Sequence, residues 1–94
     1  MHWVLLAEDR ADAGTIRADT RTDHLEWIAG SIDHVVRAGP FLADDGETML
    51  GSLLIIDFPD RAAAEAWAAE DPYAKAGLFE SVTITAWKQT VGPD

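Results

Sequence analysis

The chain opens on an apolar run, Trp3-Val4-Leu5-Leu6-Ala7, that ends at the charged stretch from Glu8 to Asp12 and at Gly14. A short run bounded in this way predicts a strand, here apolar on both faces. Residues 9–19 are charged, small and without period, which predicts an exposed loop. Leu25, Ile28, Ile32, Val35 and Val36 then recur at helical spacing, with Thr20, Thr22 and Asp23 as candidate caps. Ala38-Gly39-Pro40 predicts the helix stop, because Gly takes the left-handed terminal conformation and Pro cannot continue the ladder. Phe41-Leu42-Ala43, the turn residues Asp44-Asp45-Gly46 and the run from Met49 to Phe58 predict a hairpin. Asp60 is placed to cap an alanine-rich helix over 61–70, which Asp71-Pro72 breaks. A short helical or turn segment, Tyr73 to Gly77, leads to a last strand in 79–89, where Val82, Ile84 and Ala86 alternate with Ser81, Thr83 and Thr85.

The order strand, helix, strand, strand, helix, strand predicts an α+β, ferredoxin-like fold: one four-stranded antiparallel sheet with both helices on one face. No repeat or linker divides the chain, so residues 1–94 are expected to form a single domain. A sheet with one wet face should alternate cleanly between apolar and polar residues. Here Val4 and Leu6 oppose Trp3 and Leu5, and Leu53 and Ile55 oppose Leu54 and Ile56. The second face therefore needs a cover that this chain does not supply, which predicts a homodimer through the sheet faces.

Composition narrows the partners. With 17 acidic and 7 basic residues the formal charge is −10, so nucleic acid and anionic membrane surfaces are not expected partners. The chain has no cysteine, which removes disulfides, thiolate nucleophiles and sulfur-bound metals. No apolar run reaches membrane-spanning length, and Glu8-Asp9 comes too early for a signal peptide, so a soluble cytoplasmic protein is expected.

Proton transfer near neutral pH calls first for histidine, and there are three. His2 lies beside the chain start, and His34 falls late in the predicted first helix as a surface or helix-end residue. His24 is placed in the first turn of that helix, where the positive end of the dipole favours the neutral ring. An up-and-down path brings the start of the first helix and the end of the second to the same rim of the domain. Asp71 can then neighbour His24, with Asp9, the Asp44-Asp45-Gly46 turn and Ser52 nearby. A carboxylate beside an imidazole fixes its tautomer and stabilises the imidazolium formed when it takes a proton. A plainer reading stays open at this point: Asp71 ends a helix ahead of Pro72, and His24 caps a helix or faces solvent.

Other chemistries have weaker signals. Asp9, His24, Asp44 and Asp71 lack any local metal-ligand spacing, so no metal site is expected. Gly51-Ser52-Leu53-Leu54 lacks the second glycine of a serine-nucleophile elbow, leaving Ser52 as close packing or a polar pocket contact. The glycines never cluster into a phosphate-binding fingerprint, and no cofactor is expected. The four tryptophans suit core and interface, with an aromatic pocket as the alternative.

Several segments, in order along nearly the whole chain, resemble the YCII-related (YciI-like) family. They are Asp23-His24-Leu25, Ala38-Gly39-Pro40, Gly51-Ser52, Trp67-Ala68-Ala69-Glu70-Asp71-Pro72-Tyr73 and Ala76-Gly77-Leu78-Phe79. The family commonly has a proline before the aromatic of its last strand, where this chain has Ala86 before Trp87; the departure concerns strand packing rather than the site. The resemblance implies a dimeric α/β barrel, in which ferredoxin-like subunits pair sheet to sheet, and a His-Asp active site at His24 and Asp71. Family members linked to dehydrochlorination of aromatic-degradation intermediates imply cofactor-free proton transfer on a small organic metabolite, of isomerase, lyase or dehydrochlorinase type. On that basis His24 is expected to move the proton and Asp71 to orient it. Ser52 and Tyr73 are expected to meet a substrate oxygen, and the free N–H groups of the helix start to hold one carboxylate or enolate oxygen. The alternative is a noncatalytic small-molecule-binding or operon-companion domain on the same barrel.

Overall fold

In the computed structural model, which describes residues 1–93, four strands form one antiparallel sheet in the order β2-β3-β1-β4. These are β1 (His2–Asp9), β2 (Val35–Leu42), β3 (Met49–Asp57) and β4 (Phe79–Trp87). Helix α1 (Ile16–Gly30) joins β1 to β2 through a single 3-10 turn, Ile32–His34, while α2 (Arg61–Ala69) and the short α3 (Pro72–Lys75) join β3 to β4. The expected ferredoxin-like order holds. Among the described residues no helix is long and apolar enough to cross a membrane.

Register assigns the two sheet faces. Trp3 pairs with Ile56, Leu5 with Leu54 and Ala7 with Ser52, and all six are buried. With Phe58 and Ala64 the apolar members form the core, against which Ile28, Trp67 and Ala68 of the helices pack. Trp3 Nε1 donates to the Phe58 carbonyl at 3.0 Å, so its one polar atom is satisfied inside this core. On the opposite face Val4 pairs with Ile55 and Leu6 with Leu53, and Leu6 is exposed. The two-sided apolar strands are thus real, with one face under the helices and the other open in the single chain.

The first helix departs from expectation at both ends. It begins at Ile16, inside the segment read as a loop, and ends at Gly30, well before Ala38-Gly39-Pro40. Its inward stripe is Ile16, Arg17, Thr20, His24, Trp27 and Ile28, none of them exposed. Three polar side chains at inward positions break the apolar period that would otherwise announce the helix. Leu25 and Ile32, which the period placed in the core, are 47% and 59% exposed. Val35 and Val36 belong to β2, where branched side chains are favoured. Pro40 is tolerated in that strand because β2 is an edge of the sheet.

Gly51 is imposed by close approach. A Cβ there would collide with the carbonyl oxygen of Ala7 and lie 3.3 Å from the Glu8 Cα. Only glycine lets β1 and β3 close at the end of the sheet that carries Ser52.

Candidate active site

The segment from Asp71 to Leu78 is a helical turn stopped chemically at both ends. At its start the Asp71 carboxylate accepts from the Tyr73 N–H at 2.9 Å, and Pro72 occupies the first turn, where its missing N–H costs nothing. At its end Gly77 takes a positive φ of 76°, the Leu78 N–H donates to the Tyr73 carbonyl at 3.1 Å, and the Gly77 N–H donates to Ala74 at 3.1 Å. This is a Schellman closure, and Leu78 anchors it as a fully buried side chain. Asp71 and Tyr73, 6% and 3% exposed, are thereby held rigidly beneath α1.

His24 meets this turn from α1. Its Nδ1 lies 2.8 Å from Asp71 Oδ1, and its ring stacks on Tyr73 with centroids 4.0 Å apart and planes 14° apart. A carboxylate only accepts, so Nδ1 carries the proton and Nε2 is left as the acceptor, with no hydrogen-bond partner among the described residues. Trp27, one turn further along α1, lies 6.1 Å from the His24 ring and stacks on Trp67 at 4.4 Å. These two tryptophans form an aromatic wall behind the histidine, and Trp3 belongs to the core. Trp87 lies on the open sheet face, stacked with His2 at 6.5 Å.

The expected place of His24 at the helix start is not what is found. Because α1 begins at Ile16, His24 sits in its third turn, away from the free N–H groups and the dipole end. The helix start therefore offers this site no anion-binding N–H groups. His34 is not on that helix either: it closes the 3-10 turn, stacks on Phe58 at 4.5 Å and has Nδ1 3.1 Å from the Asp57 carbonyl.

Ser52 is buried and belongs to the same site. Arg17 donates to Ser52 Oγ at 3.0 Å and to both Asp9 oxygens at 2.8 Å, a bidentate pair with side chains 13% and 11% exposed. Burial lowers the affinity of the Arg17 guanidinium for its proton, but Asp9 outweighs this and holds it above its usual value. The same guanidinium lies 4.8 Å from the centre of the Tyr73 ring. Burial raises the Tyr73 phenol above its ordinary value, and Arg17 and Arg21 pull it only partly back. Of the expected rim, Asp9 is consumed by Arg17, and the turn at Asp44-Asp45-Gly46 is not on the cavity wall. Among the described residues no group of three His, Cys, Asp or Glu is arranged to hold a metal ion.

The cavity beside His24 measures about 290 Å³. Arg17, Arg21, His24, Ser52 and Tyr73 supply its polar wall, and Leu25, Ile28, Pro40, Met49 and Leu54 its apolar wall. Arg17 and Arg21 were not among the residues singled out from the sequence. The signal for them was present: 17, 21 and 24 are spaced as one helical face, but that face was legible only with the helix extended back to Ile16.

The chain is 34% identical over 96 residues to the protein YciI of Escherichia coli, covering 95% of this chain and 98% of that one. It is 31% identical to an uncharacterized protein of Haemophilus influenzae over the same shares. Among solved structures it is similar to the 5-chloro-2-hydroxyhydroquinone dehydrochlorinase of Burkholderia phenoliruptrix, solved in complex with 2,5-dihydroxybenzoquinone. There the TM-score is 0.88 at 26% identity, with 96% of each chain covered. An antibiotic biosynthesis monooxygenase structure, at TM-score 0.55 and 13% identity, shares the fold alone. The YCII-related domain model matches residues 1–88, and the chain belongs to that family.

Proposed function

We propose that this protein is a cofactor-free acid–base catalyst acting on a small organic molecule, with His24 as the proton-transfer group and Asp71 as its orienting partner. The observation that carries this reading is the 2.8 Å contact between His24 Nδ1 and Asp71 Oδ1 on the wall of a mixed polar and apolar cavity. In the proposed step Nε2 of His24 takes a proton from an acidic C–H or O–H of the substrate. The electron pair moves onto a conjugated carbonyl oxygen as an enolate, which in this reading Ser52 meets. Return of the proton at another carbon completes an isomerisation. Collapse of the enolate with departure of a halide completes an elimination, the net loss being one proton and one halide ion. Neither course needs an oxidant or reductant. The Burkholderia dehydrochlorinase similarity supports the second course, since its fold and its length match this chain throughout.

The working unit in this proposal is a homodimer paired through the sheet face that carries Val4, Leu6, Leu53 and Ile55. Leu6 and Trp87, each 37% exposed, are large apolar side chains on that face. Its support is the same two-sided patterning that sets these strands apart from a sheet with one wet face.

The function is tested by incubating the protein in D2O with 5-chloro-2-hydroxyhydroquinone and with a panel of enolisable hydroxy-ketones. NMR then follows deuterium incorporation, and an electrode follows chloride release. Turnover that falls roughly 10²- to 10⁴-fold in His24→Asn supports the reading. No turnover above the His24→Asn background across the panel, with retained ligand binding, replaces it by the noncatalytic binding domain.

A further inference from the structure

In a chain with a formal charge of −10, the cavity beside His24 has no carboxylate on its wall. It has two arginines instead. Among the described residues Arg10, Arg17, Arg61 and Lys75 each have a carboxylate within 4.0 Å, whereas Arg21, Arg37 and Lys88 have none, and of these three Arg21 alone lines the cavity. The Arg21 side chain also makes no hydrogen bond to another described residue, although 17 carboxylates are available in the sequence. The contrast with Arg17 on the same helix face is chemical. Arg17 is neutralised by Asp9 and spends Nε and one terminal nitrogen on Asp9 and Ser52, so it is part of the wall. Arg21 is exposed, lies one turn from His24, and brings an uncompensated guanidinium to the same cavity.

We propose that Arg21 anchors the substrate, and that the substrate class is a compact, single-ring or similarly sized molecule bearing one anionic oxygen group. A guanidinium presents a planar fork of donors that matches a carboxylate or a delocalised enolate, and such charge-assisted bonds are stronger than neutral ones. Size follows from the cavity: a space of about 150 Å³ takes a benzene ring, so about 290 Å³ takes one substituted ring. The apolar wall of Ile28, Pro40, Met49 and Leu54 suits the ring, and the polar wall suits its oxygens. This inference rests on the proposed proton transfer at His24 for the orientation of the ligand, with the anion on Arg21 and the acidic position toward Nε2. It replaces the helix-start N–H groups, which lie elsewhere, as the holder of the anion.

The test compares two probes of the same shape, 2,5-dihydroxybenzoate and the neutral 2,5-dihydroxybenzamide, by calorimetric or NMR titration. The parent is expected to bind the benzoate roughly tenfold or more tightly than the benzamide. Arg21→Gln, a change at an exposed and unpaired side chain, is expected to abolish that preference while benzamide affinity stays within about twofold. His24→Asn should keep the preference. Equal binding of both probes by the parent, no binding of either at millimolar concentration, or an undiminished preference in Arg21→Gln overturns the assignment. Loss of the preference in His24→Asn alone overturns it too, by giving the anion to the imidazolium. Failure of the proton-transfer reading is seen separately, as absent turnover in the D2O assay with the anion preference intact.

Discussion

Asp71 Oδ1 lies 2.8 Å from His24 Nδ1 and at the same time accepts the Tyr73 N–H at 2.9 Å. One oxygen therefore caps a helical turn and holds an imidazole. The cap by itself fixes the carboxylate, so holding the ring costs Asp71 little further side-chain entropy. The two readings of Asp71 as a turn residue and as a histidine partner are compatible, because the turn is what aims the carboxylate.

If this contact sets the tautomer of His24, Asp71→Asn should redistribute the proton between its two ring nitrogens. Two-dimensional NMR of the ring nitrogens and carbons, parent against variant, reads the tautomer. Catalysis of the most responsive substrate should drop roughly 10²- to 10⁴-fold in the same variant. Identical His24 tautomers in two folded proteins would show that the side chains are uncoupled and remove the dyad.

Tyr73 is the chain's one tyrosine, so absorbance at the phenolate band reports it alone. Burial raises its ionisation above the ordinary value of 10.0, while Arg17 opposes. The sign for stability follows: the contribution of the neutral buried phenol is complete below about pH 10 and is lost as pH rises through the higher folded-state value. Arg17→Met should move the midpoint further up, since it removes a cation that favours phenolate. A midpoint at or below that of free tyrosine would contradict the buried, stacked placement.

Gly51→Ala should weaken the fold at the end of the sheet that carries Ser52. Its Cβ meets the Ala7 carbonyl, part of a rigid ladder. Overpacking of this kind costs about 1–3 kcal/mol, which for a domain of this size lowers the melting temperature by roughly 4–8 °C per kcal/mol. Calorimetry giving a parent-like transition would show that β1 and β3 part more easily than their register implies.

Light scattering at micromolar concentration should give twice the chain mass if the open sheet face is an interface. Leu6→Lys places a charge in the middle of that face, and should shift the mass to the monomer while leaving the helix-covered core intact. A parent that is monomeric under these conditions would leave Val4, Leu6, Leu53 and Ile55 without a partner and sink the sheet-pairing proposal.

The sequence alone determined the succession of strands and helices, because period-two and two-sided apolar runs are local signals, but not the start of β2, whose Val35 to Pro40 read as the end of a helix. It also determined the second helix and its Asp60 cap, whose side chain accepts from the Ala63 N–H at 2.8 Å. The break at Asp71-Pro72 was legible for the same local reason. Only tertiary structure decided the extent of the first helix, since Arg17, Thr20 and His24 occupy inward positions where an apolar period would have marked it. The site was legible in part. The neighbourhood of His24 and Asp71 followed from topology, but the His24 environment did not, because a helix that begins at Ile16 carries the histidine away from its dipole end. Asp9 shows the limit most clearly: nothing local distinguishes it from the other acidic residues. Its role beside Arg17 and Ser52 exists only once the end of β1, the start of α1 and β3 have been brought together.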